Sequence, residues 1–173
     1  MLTKALSRRD LGLGAAAIAL TACAKTGSEA KAAEVKAMTD KASNIDWAKL
    51  TEAEWEARLT PVEFHVLRQE GTERPGSSPL NNEKRAGTFV CAGCELPLFT
   101  SDKKYDSGTG WPSFFDVIDG AVETKVDRKL FVARTEYHCS RCGGHQGHVF
   151  NDGPRPTGLR YCNNGVALNF KEA

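Results

Sequence analysis

Thr88-Phe89-Val90-Cys91-Ala92-Gly93-Cys94-Glu95-Leu96-Pro97-Leu98-Phe99 holds two short apolar runs on either side of a tight turn that carries two thiols. Runs of three or four apolar residues broken by turn residues read as strands rather than helices. Ala121 to Val126, Lys129 to Tyr137, Val149-Phe150, Arg160-Tyr161 and Val166 to Phe170 extend the pattern toward the C-terminus. Upstream the signals change. Thr51-Glu52-Ala53-Glu54 and Thr60-Pro61-Val62-Glu63 each fit a capping box, the second with Pro at the first helical position. They predict two short helices over 51–58 and 61–69, followed by a long Gly-, Pro-, Ser- and Asn-rich loop from 71 to 87. The expected fold is mainly β with minor α: antiparallel strands with short helices at the N-terminal side.

The chain has 173 residues, 40% hydrophobic and 26% charged, as expected of one ordinary globular domain. Its formal charge is +1, which argues against nucleic acid held on a basic surface. No run of 18 apolar residues is present. Residues 1–23 read as a targeting segment. Lys4, Arg8 and Arg9 precede an uncharged run from Leu11 to Ala22. Ser7-Arg8-Arg9-Asp10-Leu11 resembles a twin-arginine export signal, and Leu20-Thr21-Ala22-Cys23 resembles a bacterial lipobox. The expectation is export to a bacterial periplasm, with Cys23 as the candidate lipidation site and the only membrane contact. Simple cleavage near Cys23, or an N-terminal helix that buries it, are the alternatives. Residues 24–45, a Lys/Glu/Ala/Ser mixture without a wide apolar face, read as a flexible tether. The catalytic or binding domain is then 46–173, expected to be a monomer.

Cys91-Ala92-Gly93-Cys94 and Cys139-Ser140-Arg141-Cys142 are the strongest chemical signal from spacing alone. Each turn presents two thiols, with Gly93 and Gly143 relieving the backbone. Two such turns brought together make a closed tetrahedral site for one structural Zn2+. Two disulfides, or a redox pair, are the alternatives. Cys162 stands outside both pairs. A lone Cys is more often a small buried hydrophobe than a nucleophile. Its surroundings change that balance: His145 to Asn164 is rich in His, Asn, Arg and Gly, too polar for core. Arg160 and the His residues are the groups that lower a thiol pKa. Spacing alone leaves His145 and His148 as loop histidines or zinc ligands.

Ser107-Gly108-Thr109-Gly110-Trp111-Pro112-Ser113-Phe114, His145-Gln146-Gly147-His148-Val149-Phe150-Asn151-Asp152-Gly153-Pro154 and Pro156-Thr157-Gly158-Leu159-Arg160-Tyr161-Cys162-Asn163-Asn164 closely resemble the peptide-methionine (R)-S-oxide reductases, the MsrB family, over about residues 47–171. The two CxxC pairs match its zinc-binding form. The resemblance implies two antiparallel sheets in a small barrel-like domain. It implies reduction of the R epimer of methionine sulfoxide in oxidised peptides and proteins. Cys162 matches the nucleophile that becomes a sulfenic acid. His145, His148 and Asn164 match the residues around the sulfoxide oxygen. Trp111 matches the wall that holds the substrate methyl group, Phe150 fits that wall or the core, and Asp152 and Arg160 match polar groups that order the pocket. Phe114 fits that wall or the core. Many family members carry a resolving Cys where this chain has Thr109. The implied reductant is therefore external, a thioredoxin-like protein or a small thiol. A zinc-stabilised binding module without turnover, and a membrane-tethered CxxC oxidoreductase, are the competing classes.

Overall fold

The computed structural model describes residues 45–128 and 133–173. The export-signal and tether readings, Cys23 and the first residues of the expected 129–137 strand lie outside them. Helix α1 (Glu52–Glu56) and helix α2 (Pro61–Gln69) start where the capping boxes predict. The Thr51 hydroxyl accepts from the Glu54 N–H while Glu54 reaches back to the Thr51 N–H, and Thr60 and Glu63 repeat the arrangement. Each box satisfies orphan donors of a first turn, typically worth about 1 kcal/mol. The buried faces of the helices are Trp55, Phe64, Val66 and Leu67.

Among the described residues nine strands follow: β1 (Gly87–Cys91), β2 (Pro97–Thr100), β3 (Lys104–Tyr105), β4 (Ser113–Phe114), β5 (Val122–Asp127), β6 (Arg134–Cys139), β7 (His145–Phe150), β8 (Arg160–Asn163) and β9 (Leu168–Glu172). They form two antiparallel sheets, ordered β2-β1-β9 and β3-β4-β8-β7-β6-β5. Phe89 and Phe99 from the small sheet meet Phe114, Tyr137 and Tyr161 from the large one. Phe99 stacks on Phe114 with centroids 4.1 Å apart, and Tyr137 meets Tyr161 edge-on at 5.3 Å. These rings are the core that fixes one sheet on the other.

The strands expected at 88–90, 96–99, 121–126 and 166–170 coincide with β1, β2, β5 and β9 to within about two residues, although 165–167 is a short 3-10 turn ahead of β9. Strands β3 and β4 escape sequence reading because two residues carry no period. The stretch from His145 to Asn164 needs a correction. The strands expected at Val149-Phe150 and Arg160-Tyr161 lie in two adjacent central strands, β7 and β8, but the stretch is not too polar for core, since Gln146 and Asn163 are fully buried. Their polarity is tolerated because it is paired internally. Tyr137 donates to Asn163 Oδ1 at 2.7 Å, and Asn163 donates to Gln146 Oε1 and to the Asn164 carbonyl.

Candidate active site and metal centre

The two CxxC turns meet at one end of the domain. The first lies between β1 and β2, the second between β6 and β7. All four Sγ atoms of Cys91, Cys94, Cys139 and Cys142 lie within 4.8 Å of one another, and all four residues are buried. The Cys91–Cys142 and Cys94–Cys139 sulfur separations are 3.7 and 3.5 Å. Those distances are far too long for disulfides. A tetrahedron with Zn–S bonds of about 2.3 Å has edges of roughly 3.8 Å. The four thiols thus fit one zinc ion, with no ligand position left for water or substrate. Gly143 takes a positive φ of 67°, as its role in the turn requires. At the first turn the left-handed residue is Glu95 at φ 61° rather than Gly93. Arg68 of α2 stacks over Trp55 and donates to the Cys142 carbonyl at 2.9 Å, and Arg141 donates to the Cys94 carbonyl at 3.1 Å. Gln146 donates to Cys91 Sγ at 3.4 Å, so the network around Asn163 touches the metal centre.

Cys162 is placed differently. It sits on β8 between β4 and β7, opposite Ser113 on one side and His148 on the other. The two strands approach so closely that a Cβ on Gly147 would run into the Cys162 carbonyl oxygen. Cys162 is half-buried and forms part of the wall of a cavity of about 130 Å³, together with Trp111, His148, Phe150 and Asn164. Five residues singled out in the sequence are therefore brought around one small space.

Burial pushes the Cys162 thiol above its ordinary pKa. The Arg160 charge and hydrogen bonds from Thr109 and Arg160 pull it down, without offsetting burial. The resting group at neutral pH is thus the thiol. Arg160 lies two residues before Cys162 on the same strand, which puts both side chains on one face of the sheet. Its guanidinium is held by Asp152 through two bonds of 2.8 and 2.9 Å and lies 4.3 Å from the Phe150 ring centroid. Arg160 and Asp152 belong to a second, polar hollow beside the first, not to the Cys162 cavity itself.

Burial also lowers the His148 imidazole, with Asp127 opposing the shift and Arg134 and His145 adding to it. The ring is neutral at pH 7. Its Nε2 lies 2.8 Å from Asp127 Oδ2, which makes Nε2 the protonated nitrogen and Nδ1 the acceptor. Arg134 holds the same Asp127 oxygen at 2.6 Å. His145 is buried behind the cavity rather than in its wall. Its Nδ1 meets Glu136 Oε1 at 2.7 Å, and its Nε2 has no hydrogen-bond partner among the described residues. Burial raises Glu136, but bonds from His145 and His138 outweigh it and hold the carboxyl below its ordinary value. Asn164 accepts from the Glu73 N–H at 3.0 Å and donates to the Gln146 carbonyl at 3.0 Å, so most of its amide is committed to holding the backbone.

Sequence reading misses Glu73. Its carbonyl accepts from the Trp111 indole at 3.1 Å, and its buried carboxylate accepts from the N–H groups of Gly165 and Val166. It thereby fixes the indole relative to the segment that follows the nucleophile. The residue lies in a loop with no periodicity, and no local signal marks it. Arg134 and Gln146 are missed as well, although Gln146 lies inside a motif that stands out for its histidines.

A SelR domain model matches residues 59–172. The chain belongs to the SelR domain family. It is 57% identical over 122 residues to a peptide methionine sulfoxide reductase MsrB of Methanosarcina barkeri, covering 70% of this chain and 86% of that one. It is 50% identical over 123 residues to the protein of that name from Leptospira interrogans, covering 70% and 94%. For the Agrobacterium fabrum protein of that name the identity is 50% over 122 residues, covering 70% and 90%. The SelR match spans both CxxC turns, the cavity and Cys162.

Proposed function

We propose that this SelR domain reduces the R epimer of methionine sulfoxide in peptides and proteins to methionine, repairing oxidative damage. The observation that carries the reading is the placement of Cys162 in the wall of a small cavity that also holds an indole and a neutral imidazole. Relatives of about half identical sequence bear the name peptide methionine sulfoxide reductase.

Trp111 and Phe150 offer the apolar surface that a methyl group and thioether chain would occupy, leaving the sulfoxide sulfur to face Cys162. The Cys162 thiolate attacks the sulfoxide sulfur, the sulfur–oxygen bond of the substrate breaks, methionine leaves and the oxygen ends on the Cys162 sulfur. The thiol and the sulfoxide become a sulfenic acid and a thioether, and the thiol proton ends on the transferred oxygen. No external proton is consumed. Charge builds on that oxygen in the transition state, so a donor placed there lowers the barrier. Near the sulfur, His148 is oriented by Asp127, and the orphaned Nε2 of His145 lies on the ring beside it at a centroid separation of 5.5 Å. Asn164, Asp152 and Arg160 act as positioning residues. An external thiol completes the cycle, since the four other cysteines of the domain are drawn together at the metal centre. A zinc ion held by Cys91, Cys94, Cys139 and Cys142 would tie the two turns together and would supply no step of the reaction.

The test is incubation with separate R and S peptidyl methionine sulfoxides and dithiothreitol. Methionine from the R epimer alone is expected; equal use of the S epimer, or none of either, would contradict the reading. Export belongs to the same proposal. The twin-arginine-like segment and the lipobox-like sequence before Cys23 support a periplasmic lipoprotein, since twin-arginine cargo leaves the cytosol folded and would carry its zinc with it. Membrane fractionation of wild type and Cys23→Ser checks it, with release of the variant expected.

A further inference from the structure

Gln146 is a polar side chain fully buried in β7. Its amide carries N–H donors at one end and an acceptor oxygen at the other. The nitrogen donates to Cys91 Sγ at 3.4 Å and to the Gly144 carbonyl at 3.5 Å. The oxygen accepts from Asn163 Nδ2 at 3.4 Å. The backbone carbonyl of Gln146 accepts from Asn164 twice, from its main-chain N–H at 2.8 Å and from its side-chain amide at 3.0 Å. One residue thus touches a sulfur of the metal centre, the residue after Cys162, and Asn164 in the cavity wall.

The direction of these bonds is fixed. Asn163 Oδ1 is taken by the Tyr137 hydroxyl at 2.7 Å, so the Asn163 nitrogen faces Gln146. That turns the Gln146 oxygen toward Asn163 and its nitrogen toward the sulfur. With the amide reversed, two acceptors would face each other at Cys91 and two donors at Asn163. The result is one run of donors, from Tyr137 on β6 to Asn163 on β8 to Gln146 on β7, that ends on Cys91 of β1. A sulfur that ligates zinc bears no proton and only accepts. Away from water, hydrogen bonds in such a run strengthen one another.

We propose that Gln146 is a positioning residue that couples the metal centre to the Cys162 cavity. Its amide steadies the Cys91 thiolate on the metal. The thiolate in return holds Gln146, and through it Asn163 and Asn164, in place beside the nucleophile. The activity readout of this proposal rests on the reductase reading; its metal readouts do not.

The test compares the whole wild-type protein with two variants. Gln146→Met removes the amide, keeps the side chain's length and leaves the backbone bonds to Asn164. Asn163 Nδ2 keeps the Asn164 carbonyl at 2.7 Å, and the Gly144 carbonyl keeps the Cys139 N–H at 2.9 Å. Transfer of zinc from this variant to 4-(2-pyridylazo)resorcinol is expected to run about tenfold faster than from wild type. With Co2+ in place of zinc, its sulfur-to-cobalt charge-transfer band is expected at longer wavelength, because a thiolate relieved of a hydrogen bond gives up electron density more readily. In the zinc-loaded variant, single-turnover release of methionine is expected to slow about tenfold, with the half-saturating concentration of R-sulfoxide peptide unchanged. Tyr137→Phe cuts the run at its far end and leaves every contact to Cys91 in place. It is expected to move the cobalt band in the same direction by less, a shift that a purely local packing role of Gln146 would not produce. A cobalt band and a zinc-release rate equal to wild type in the folded variants would overturn the proposal. So would faster zinc release with unchanged methionine release. If Gln146→Met does not fold, the cobalt band of Tyr137→Phe decides alone. Failure of zinc-loaded wild type to release methionine would instead contradict the reductase reading, and the zinc and cobalt readouts would still decide the link between Gln146 and Cys91.

Discussion

Two regions of this domain use cysteine in opposite ways. At the CxxC turns four sulfurs crowd within 4.8 Å, buried and closed to solvent. On β8 a single sulfur stands apart, half-buried, in the wall of a cavity and under the influence of the Arg160 cation. The first arrangement leaves no room for a substrate and every reason to bind a metal. The second has no partner thiol among the described residues and a small cavity beside it. Surroundings, not residue type, decide which sulfur holds the fold and which does chemistry. The two regions still touch, since Gln146 bonds Cys91 and also Asn163, the residue after the nucleophile.

The largest effect expected from breaking this division is at Cys162. Cys162→Ser should lower reductase turnover on the order of 10⁴-fold or more, as loss of a nucleophile does. Metal content and thermal unfolding should match wild type, because Cys162 lies outside the four-sulfur cluster. Next comes the converse. Cys139→Ser should release the zinc and destabilise the domain by several kcal/mol, since binding energy at a structural site is also folding energy. Metal analysis together with a denaturant titration checks it; full metal retention would show that the four sulfurs do not act as one site.

The difference between the regions is largely legible in the sequence. Two CxxC pairs announce a shared site through their spacing alone, and the long motifs around Trp111 and Cys162 carry the family. The helices are legible because Thr51 with Glu54, and Thr60 with Glu63, are local signals. What escapes depends on contacts distant in sequence. Glu73 holds Trp111 and Asn164 from a loop without pattern. His145 and Arg160 stand out in the sequence, yet their positions behind and beside the cavity follow from sheet register. Burial of the Cys162 sulfur also escapes. The neighbouring Arg and His residues predict a lowered thiol pKa, but desolvation outweighs them. The polar run from 145 to 164 reads as unfit for a core because its internal pairing, Gln146 with Asn163 and Tyr137, crosses strands.

Smaller changes sharpen the comparison. Thr109→Cys should place a thiol near Cys162, because the Thr109 hydroxyl is bonded through Ser107 to Ser113, the residue paired with Cys162 across β4 and β8. After one turnover this variant is expected to hold a disulfide between the introduced thiol and Cys162, read by mass spectrometry. Wild type should hold a sulfenic acid instead, or a mixed disulfide with the external thiol. Arg160→Met tests the electrostatics of the isolated sulfur. In wild type the rate of Cys162 alkylation by iodoacetamide should rise with pH and reach its midpoint above the usual thiol value of about 8.5. Removing the Arg160 charge removes a lowering influence, so the midpoint should move still higher and the rate at pH 8 should fall a few-fold. A downward shift would contradict the assignment.

The central claim is that one sulfur turns over while four hold metal. Zinc-loaded protein mixed with excess R-sulfoxide peptide, without any reductant, tests it in a single turnover. The account predicts one equivalent of methionine released, one sulfenic acid trapped at Cys162, and zinc still bound with Cys91, Cys94, Cys139 and Cys142 unmodified. Zinc release with a disulfide in either CxxC pair, and Cys162 unchanged, would contradict it.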